Sequence, residues 1–184
     1  MKAPIPGYGV WTPQWNFEVT PGGPNITFNG TVEEVLDQLQ EVNPKLMASF
    51  NLKSTNNDLA TVDPKDFNVK CQDPKLRAGR VYAWQEGISY LRRVPGKPVG
   101  GPGPGECGRV SCSWNTGIWW CNDDDKEKTL ESFRDIADGA QAGYLECTDT
   151  RYHEVWANGR MTHKTDNWNV IVALVDIDKK EERC

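Results

Sequence analysis

Only two histidines occur in this 184-residue sequence, there is no Cys-x-x-Cys pair, and no apolar run approaches the ~20 residues of a membrane helix. Zinc centres and thioredoxin-type redox sites therefore fit badly. His153 and His163, with Glu154 and Asp166 near them in sequence, match no metal-ligand spacing and read as exposed loop residues. Basic blocks are also lacking. The net charge is −5, so nucleic acid and anionic lipid exert no general attraction. No Gly-x-Ser-x-Gly elbow, phosphate loop or dinucleotide fingerprint occurs. Asp123-Asp124-Asp125 lacks the alternating ligands and the glycine of a calcium loop, and reads as the start of a helix. A carboxylate pair for glycoside hydrolysis leaves no sequence signature, so none is chosen. These absences assign no catalytic residue, no metal and no cofactor.

Cysteine is present in an uneven way. None precedes Cys71, and then Cys71, Cys107, Cys112, Cys121, Cys147 and Cys184 follow. An even number without a metal pattern predicts three disulfides and an oxidising compartment. The sequons Asn25-Ile26-Thr27 and Asn29-Gly30-Thr31 point the same way, with Asn25 and Asn29 as glycosylation sites. Met1-Lys2-Ala3-Pro4 reads as a start codon placed on a mature N-terminus. The expected protein is secreted, monomeric and without a membrane span.

Periodicity outlines the fold. Trp15, Phe17 and Val19 alternate with polar residues, Pro21 to Pro24 make a turn, and Ile26 and Phe28 continue the alternation. This predicts a hairpin. Thr31-Val32-Glu33-Glu34 is a capping box that opens a helix through Leu39. Residues 53–63 read as a polar linker. Beyond it come a strand at Phe67–Cys71, a helix from Val81 to Leu91, and a Gly/Pro-rich loop over 97–106. A hairpin about Asn115-Thr116-Gly117 follows, then a helix from the aspartate run to Ala140, and a strand from Trp168 to Val175. That order, βαββαβ, predicts an α+β two-layer sandwich. A four-stranded antiparallel sheet would carry two helices on one face. Residues 1–52 would form a hairpin-helix extension and 66–184 the disulfide-stapled core, together one compact unit. In the split βαβ layout the first and third strands are neighbours, so Cys71 would pair with Cys121. Cys112 would meet Cys147 at the end of the second helix, leaving Cys107 for Cys184.

The run GPGPGECGRVSCSWNTGIWWCND, together with PIPGYGVW, GISYLR, FRDIADGAQ and TDNWNVIV, resembles a widespread family of small secreted cysteine-containing fungal proteins. The two-helix, four-strand layout is more distantly similar to fungal killer toxins and necrosis-inducing effectors. The resemblance implies an effector or toxin-like protein that binds a host or competitor target, and it brings no catalytic residues. Fold alone does not fix function. Eight tryptophans support an alternative, a carbohydrate- or cell-wall-binding module, with Trp114, Trp119 and Trp156 as candidate binding residues. Most tryptophans should nevertheless fill the core. Trp119 and Trp120 must face opposite sides of their strand. A small secreted hydrolase is the second alternative. The dibasic pairs Arg92-Arg93 and Lys179-Lys180 read as ordinary charge near element ends.

Overall fold

The computed structural model describes residues 1–50, 64–148 and 155–184. In chain order the elements are β1 (Gly9–Trp11), β2 (Gln14–Glu18), β3 (Asn25–Asn29), α1 (Val32–Val42), α2 (Pro44–Ser49), β4 (Phe67–Cys71), β5 (Gly79–Arg80), α3 (Val81–Arg93), β6 (Val99–Gly100), β7 (Glu106–Ser113), β8 (Thr116–Asn122), β9 (Lys128–Thr129), α4 (Phe133–Cys147), β10 (Trp156–Ala157), β11 (Gly159–His163) and β12 (Trp168–Leu174). The class is α+β. The sheet has six strands in the order β1-β7-β8-β12-β11-β4, antiparallel throughout except that β1 runs parallel to β7. The expected sheet of four antiparallel strands is corrected on this point.

Local signals read correctly where both periodicity and capping spoke. The β2–β3 hairpin buries Trp15, Phe17 and Phe28. The Thr31 capping box closes as expected: Glu34 N donates to Thr31 Oγ1, and Thr31 N donates to Glu34 Oε2 at 2.7 Å. Pro44 opens a second helix directly after α1. Asn43 accepts from Leu46 N and caps α2, with Pro44 in its first turn. Helix α4 starts later than the aspartate run. Its cap is Ser132, which forms a box with Asp135. Asp123 instead accepts from Tyr8 Oη and Asn169 Nδ2, both at 2.7 Å, and Asp124 pairs with Lys128 at 3.0 Å.

The topology departs from expectation at β12, which pairs with β8 in the place expected for β4, and at β11. In Gly159-Arg160-Met161-Thr162-His163 only Met161 is a large apolar side chain, so period two is nearly invisible. The strand nevertheless lies between β12 and β4, and Met161 is fully buried. Both β12 and β11 stand between β8 and β4, so Cys71 and Cys121 cannot meet. The disulfides are Cys71–Cys147, Cys107–Cys121 and Cys112–Cys184, and all three expected pairings are replaced. Helix α4 crosses β4 and β11, which brings Cys147 to Cys71. Gly143 permits the crossing, since a Cβ there would run into Met161 Sδ and the Trp84 ring. Cys107 and Cys121 are direct cross-strand partners. Cys112, near the hairpin tip, holds the C-terminus.

One face of the sheet is covered by α1, α3 and α4 around Trp84, Ile88, Trp120, Ile136 and Val170. The N-terminal block belongs to this core: Trp15 stacks on Phe133 at 3.9 Å. The opposite face carries Cys107, Trp119, Cys121, Ile171 and Ala173, and residues Ala3, Ile5, Tyr8 and Leu76 cover it. Among the described residues no helix is long and apolar enough to cross a membrane.

Candidate functional site

The β7–β8 hairpin turns at Trp114 and Asn115, with φ of +50° and +60°. Two positive values in a two-residue loop define the type I′ geometry that suits the twist of paired strands and favours Asn or Gly. Asn115 tolerates that conformation, but a bulky residue such as Trp114 is an outlier there. The left-handed region costs roughly 1–3 kcal/mol for such a residue and persists only where its surroundings force it.

The forcing contacts are present. Asn115 N donates to Cys184 O at 3.1 Å, Cys184 N donates to Asn115 Oδ1 at 3.1 Å, and Val175 N donates to Asn115 O at 2.9 Å. The Cys112–Cys184 disulfide ties the C-terminus to the same hairpin. Thr116 accepts from Arg80 N at 2.7 Å, which fastens the hairpin to the start of α3. The turn is therefore held from three sides, while its tryptophan side chain is 59% exposed.

Trp114 does not stand alone. Tyr82, in the first turn of α3 and 39% exposed, meets it edge-on at 5.7 Å with a 72° interplanar angle. The Arg80 guanidinium lies 5.9 Å from the Tyr82 ring centroid and 4.7 Å from that of Trp156. The β5–β10 ladder sets Trp156 directly opposite Arg80, and Trp156 is 42% exposed. The result is a continuous surface in the order Trp114, Tyr82, Arg80, Trp156, supplied by a hairpin turn, a helix start and a short ladder. Its chemistry is non-covalent: ring faces for apolar or sugar contact, and a fixed cation with planar donors.

A comparison of the chain with family models, curated proteins and solved structures returns no match. The site therefore stands on its own geometry.

Of the tryptophans singled out from sequence, Trp114 and Trp156 lie in this surface. Trp119 does not. It is 2% exposed beneath the N-terminal residues, with Arg109 5.8 Å above its ring, so its candidacy as a binding residue is withdrawn. Arg80 and Tyr82 were not foreseen. Tyr82 lies one position beyond Val81, off the apolar stripe of Trp84, Ile88 and Leu91, and an aromatic off that stripe is directed away from the core. Asn25 and Asn29 are both exposed on β3. His153 and Glu154 lie outside the described residues.

A second feature is a cleft of about 380 Å³ lined by residues including Asp135, Asp138, His163, Asp166 and Trp168. His163 is placed on β11, not in a loop, and its ring stacks on Trp168 at 5.0 Å. Burial raises the Asp138 carboxyl above its ordinary range despite Arg92 at 2.7 Å. Burial opposes ionisation of Asp166 too, but the Lys128 ammonium at 2.6 Å outweighs it and holds that carboxyl low. Among the described residues no three His, Cys, Asp or Glu side chains are grouped to hold a metal.

Proposed function

We propose that this chain is a secreted effector- or killer-toxin-like protein that acts by binding a host or competitor target. Its contact surface is the cluster of Trp114, Tyr82, Arg80 and Trp156. The observation that carries the reading is Trp114 itself, a large exposed side chain in an unfavourable backbone conformation, between Cys112, bridged to Cys184, and Asn115, hydrogen-bonded to Cys184 and Val175. Strain of this kind collects at functional positions. The cluster also consists of the three residue types that dominate protein–protein hot spots, Trp, Tyr and Arg. A protein target suits the geometry better than a polysaccharide. The Tyr82 and Trp114 rings are inclined by 72°, so they cannot both stack on one flat sugar chain.

The test is binding of labelled protein to intact host and competitor cells. Trp114→Ala and Trp156→Ala should each weaken binding by about thirtyfold, the effect of a 2 kcal/mol hot spot, with melting temperatures within a few degrees of the parent. Shaving the cells with protease should abolish binding. Saturable binding to purified cell-wall polysaccharide, lost in the same variants, would favour the carbohydrate-binding alternative. Unchanged binding in both variants would overturn the assignment of the surface.

A small secreted hydrolase is supported by one observation: two carboxyls in one cleft, Asp138 and Asp166, have pKa values displaced in opposite directions, which is how acid and base roles are divided. Each, however, has an ion-pair partner that gives it a structural role. Turnover on glycan, ester, peptide or RNA substrates that disappears in Asp138→Asn would establish that alternative.

A further inference from the structure

A groove lies away from the aromatic cluster. It measures about 580 Å³, within the ~300–1,000 Å³ usual for small-molecule sites. Thr12, Asn29, Glu34, Asp37, Gln38 and Arg109 line it. Met1 and Pro13 add an apolar wall beside these hydrogen-bonding side chains. Arg109 is only 7% exposed, and its Nη1 donates to Glu182 O at 2.7 Å, which fixes the guanidinium at the groove. Glu34 and Asp37 offer carboxylate acceptors.

Asn29 is the acceptor position of the sequon Asn29-Gly30-Thr31. Asn25, on the same strand, faces the same way but pairs with Glu18 at the far end of the hairpin and is not a lining residue of the groove. We propose that the groove seats the first N-acetylhexosamine of a glycan linked to Asn29, so that this glycan packs against the fold while one on Asn25 stands in solvent. The Gln38 amide nitrogen already donates to Asn29 O and Glu34 O, so a pyranose with an acetamido group presents hydroxyl donors for Glu34, Asp37 and the Gln38 amide oxygen, and carbonyl and hydroxyl acceptors for Arg109.

In the transfer reaction, Asn29 Nδ2 forms a bond to the anomeric carbon of a polyprenyl-diphosphate-linked oligosaccharide. The sugar–phosphate C–O bond breaks, the polyprenyl diphosphate leaves with the electron pair, and the amide gives one proton to solvent. Thr31, the hydroxyl residue of the sequon, is buried in the folded protein and engaged in the α1 cap. Transfer must therefore precede folding, and the sugar is present when the groove forms.

The inference rests on passage through the secretory route, and the experiment separates the two. The protein is made in a eukaryotic secretory host, glycan occupancy is mapped by peptide mass spectrometry, and the native protein is treated with a peptide N-glycosidase. The Asn29 glycan should be released at least about tenfold more slowly than that on Asn25, a difference that a seat worth one or two hydrogen bonds supplies. The two rates should become equal after denaturation. Asp37→Ala and Thr12→Ala, at exposed positions, should speed release at Asn29 and leave Asn25 unchanged. An Asn29 without glycan, equal native rates, or slow release untouched by either substitution overturns the proposal. Occupied Asn25 with bare Asn29 tells against the groove alone, whereas two bare asparagines tell against the route as well.

Discussion

The two ends of the β7–β8 hairpin are built on opposite principles. At its base, Cys107–Cys121 bridges directly facing residues and is fully buried. The Gly/Pro loop closes over the base: Asn122 Nδ2 donates to Gly101 O at 2.9 Å, and a Cβ on Gly103 would collide with Asp124 O. Nearby, Trp120 is 1% exposed, with Trp11 edge-on at 5.7 Å. At the tip, the disulfide reaches out to the C-terminus, 72 residues away in sequence, and Trp114 projects into solvent. Apolar packing secures the base. Covalent and backbone restraints secure the tip, where the side chain is left free. A fold that needed the hairpin only for stability would place Asn, Asp or Gly, not Trp, at the first position of such a turn.

Substitutions can break this contrast. The largest effect is expected at the base. Trp120→Ala should cost about 3–5 kcal/mol, the range for emptying a buried aromatic position, and chemical denaturation would measure it. Trp114→Ala should leave stability nearly unaltered. A comparable loss in both would erase the distinction between the two ends.

The disulfides rank next, and their order tests the tip more closely. Closing a loop of 72 residues should contribute about 4 kcal/mol and one of 14 about 3 kcal/mol in the chain-entropy account. The double substitution Cys112→Ala/Cys184→Ala should therefore lower the melting temperature more than Cys107→Ala/Cys121→Ala. It should also release Asn115 and weaken target binding, which the base pair of substitutions should not do. Binding lost only with Cys107→Ala/Cys121→Ala would reverse the assignment.

Which parts of this architecture were legible depended on how many side chains announced them. The β2–β3 hairpin, α1, α3, β4, β12 and the β7–β8 hairpin each place several large apolar residues at a regular period, and each was found. Strand β11 places one, Met161, between Gly159 and His163, and was read as loop. Neighbour order in a sheet depends on long-range pairing as well as on which strands exist: β12 pairs with β8 where β4 was expected, and β11 then separates β12 from β4, so Cys71 meets Cys147 instead of Cys121. Helix α4 was recognised, but three aspartates obscured its true cap at Ser132. In the candidate site, Trp114 and Trp156 were visible as residues. Their union was not, since it depends on Arg80, Tyr82 and a two-residue ladder that carries almost no pattern. Trp119 was misjudged because nothing in residues 1–8 advertises that they cover a sheet face.

The smallest expected effect concerns pH. Glu33 joins α1 to the edge of β7, accepting from Ser111 Oγ at 2.6 Å and Cys112 N at 2.9 Å. Burial raises its carboxyl above the ordinary glutamate range, and those hydrogen bonds only partly oppose the shift. The folded state then holds this proton more tightly than the unfolded one. Between the ordinary and the raised pKa, stability from this group should increase as pH falls. Glu33→Gln should remove that component, so the melting temperature of the variant should gain less than the parent's on mild acidification. Parallel curves would show that Glu33 is not the group responsible.

The most direct test of the account is Trp114→Gly, followed by melting temperature and cell-surface binding in the same preparations. Glycine adopts positive φ without strain, so the substitution should stabilise the protein by about 1 kcal/mol while binding falls at least about tenfold. A more stable protein that no longer binds is the predicted result. A destabilised protein, or one that binds as well as the parent, would contradict the claim that the hairpin tip holds Trp114 in place for contact with a target.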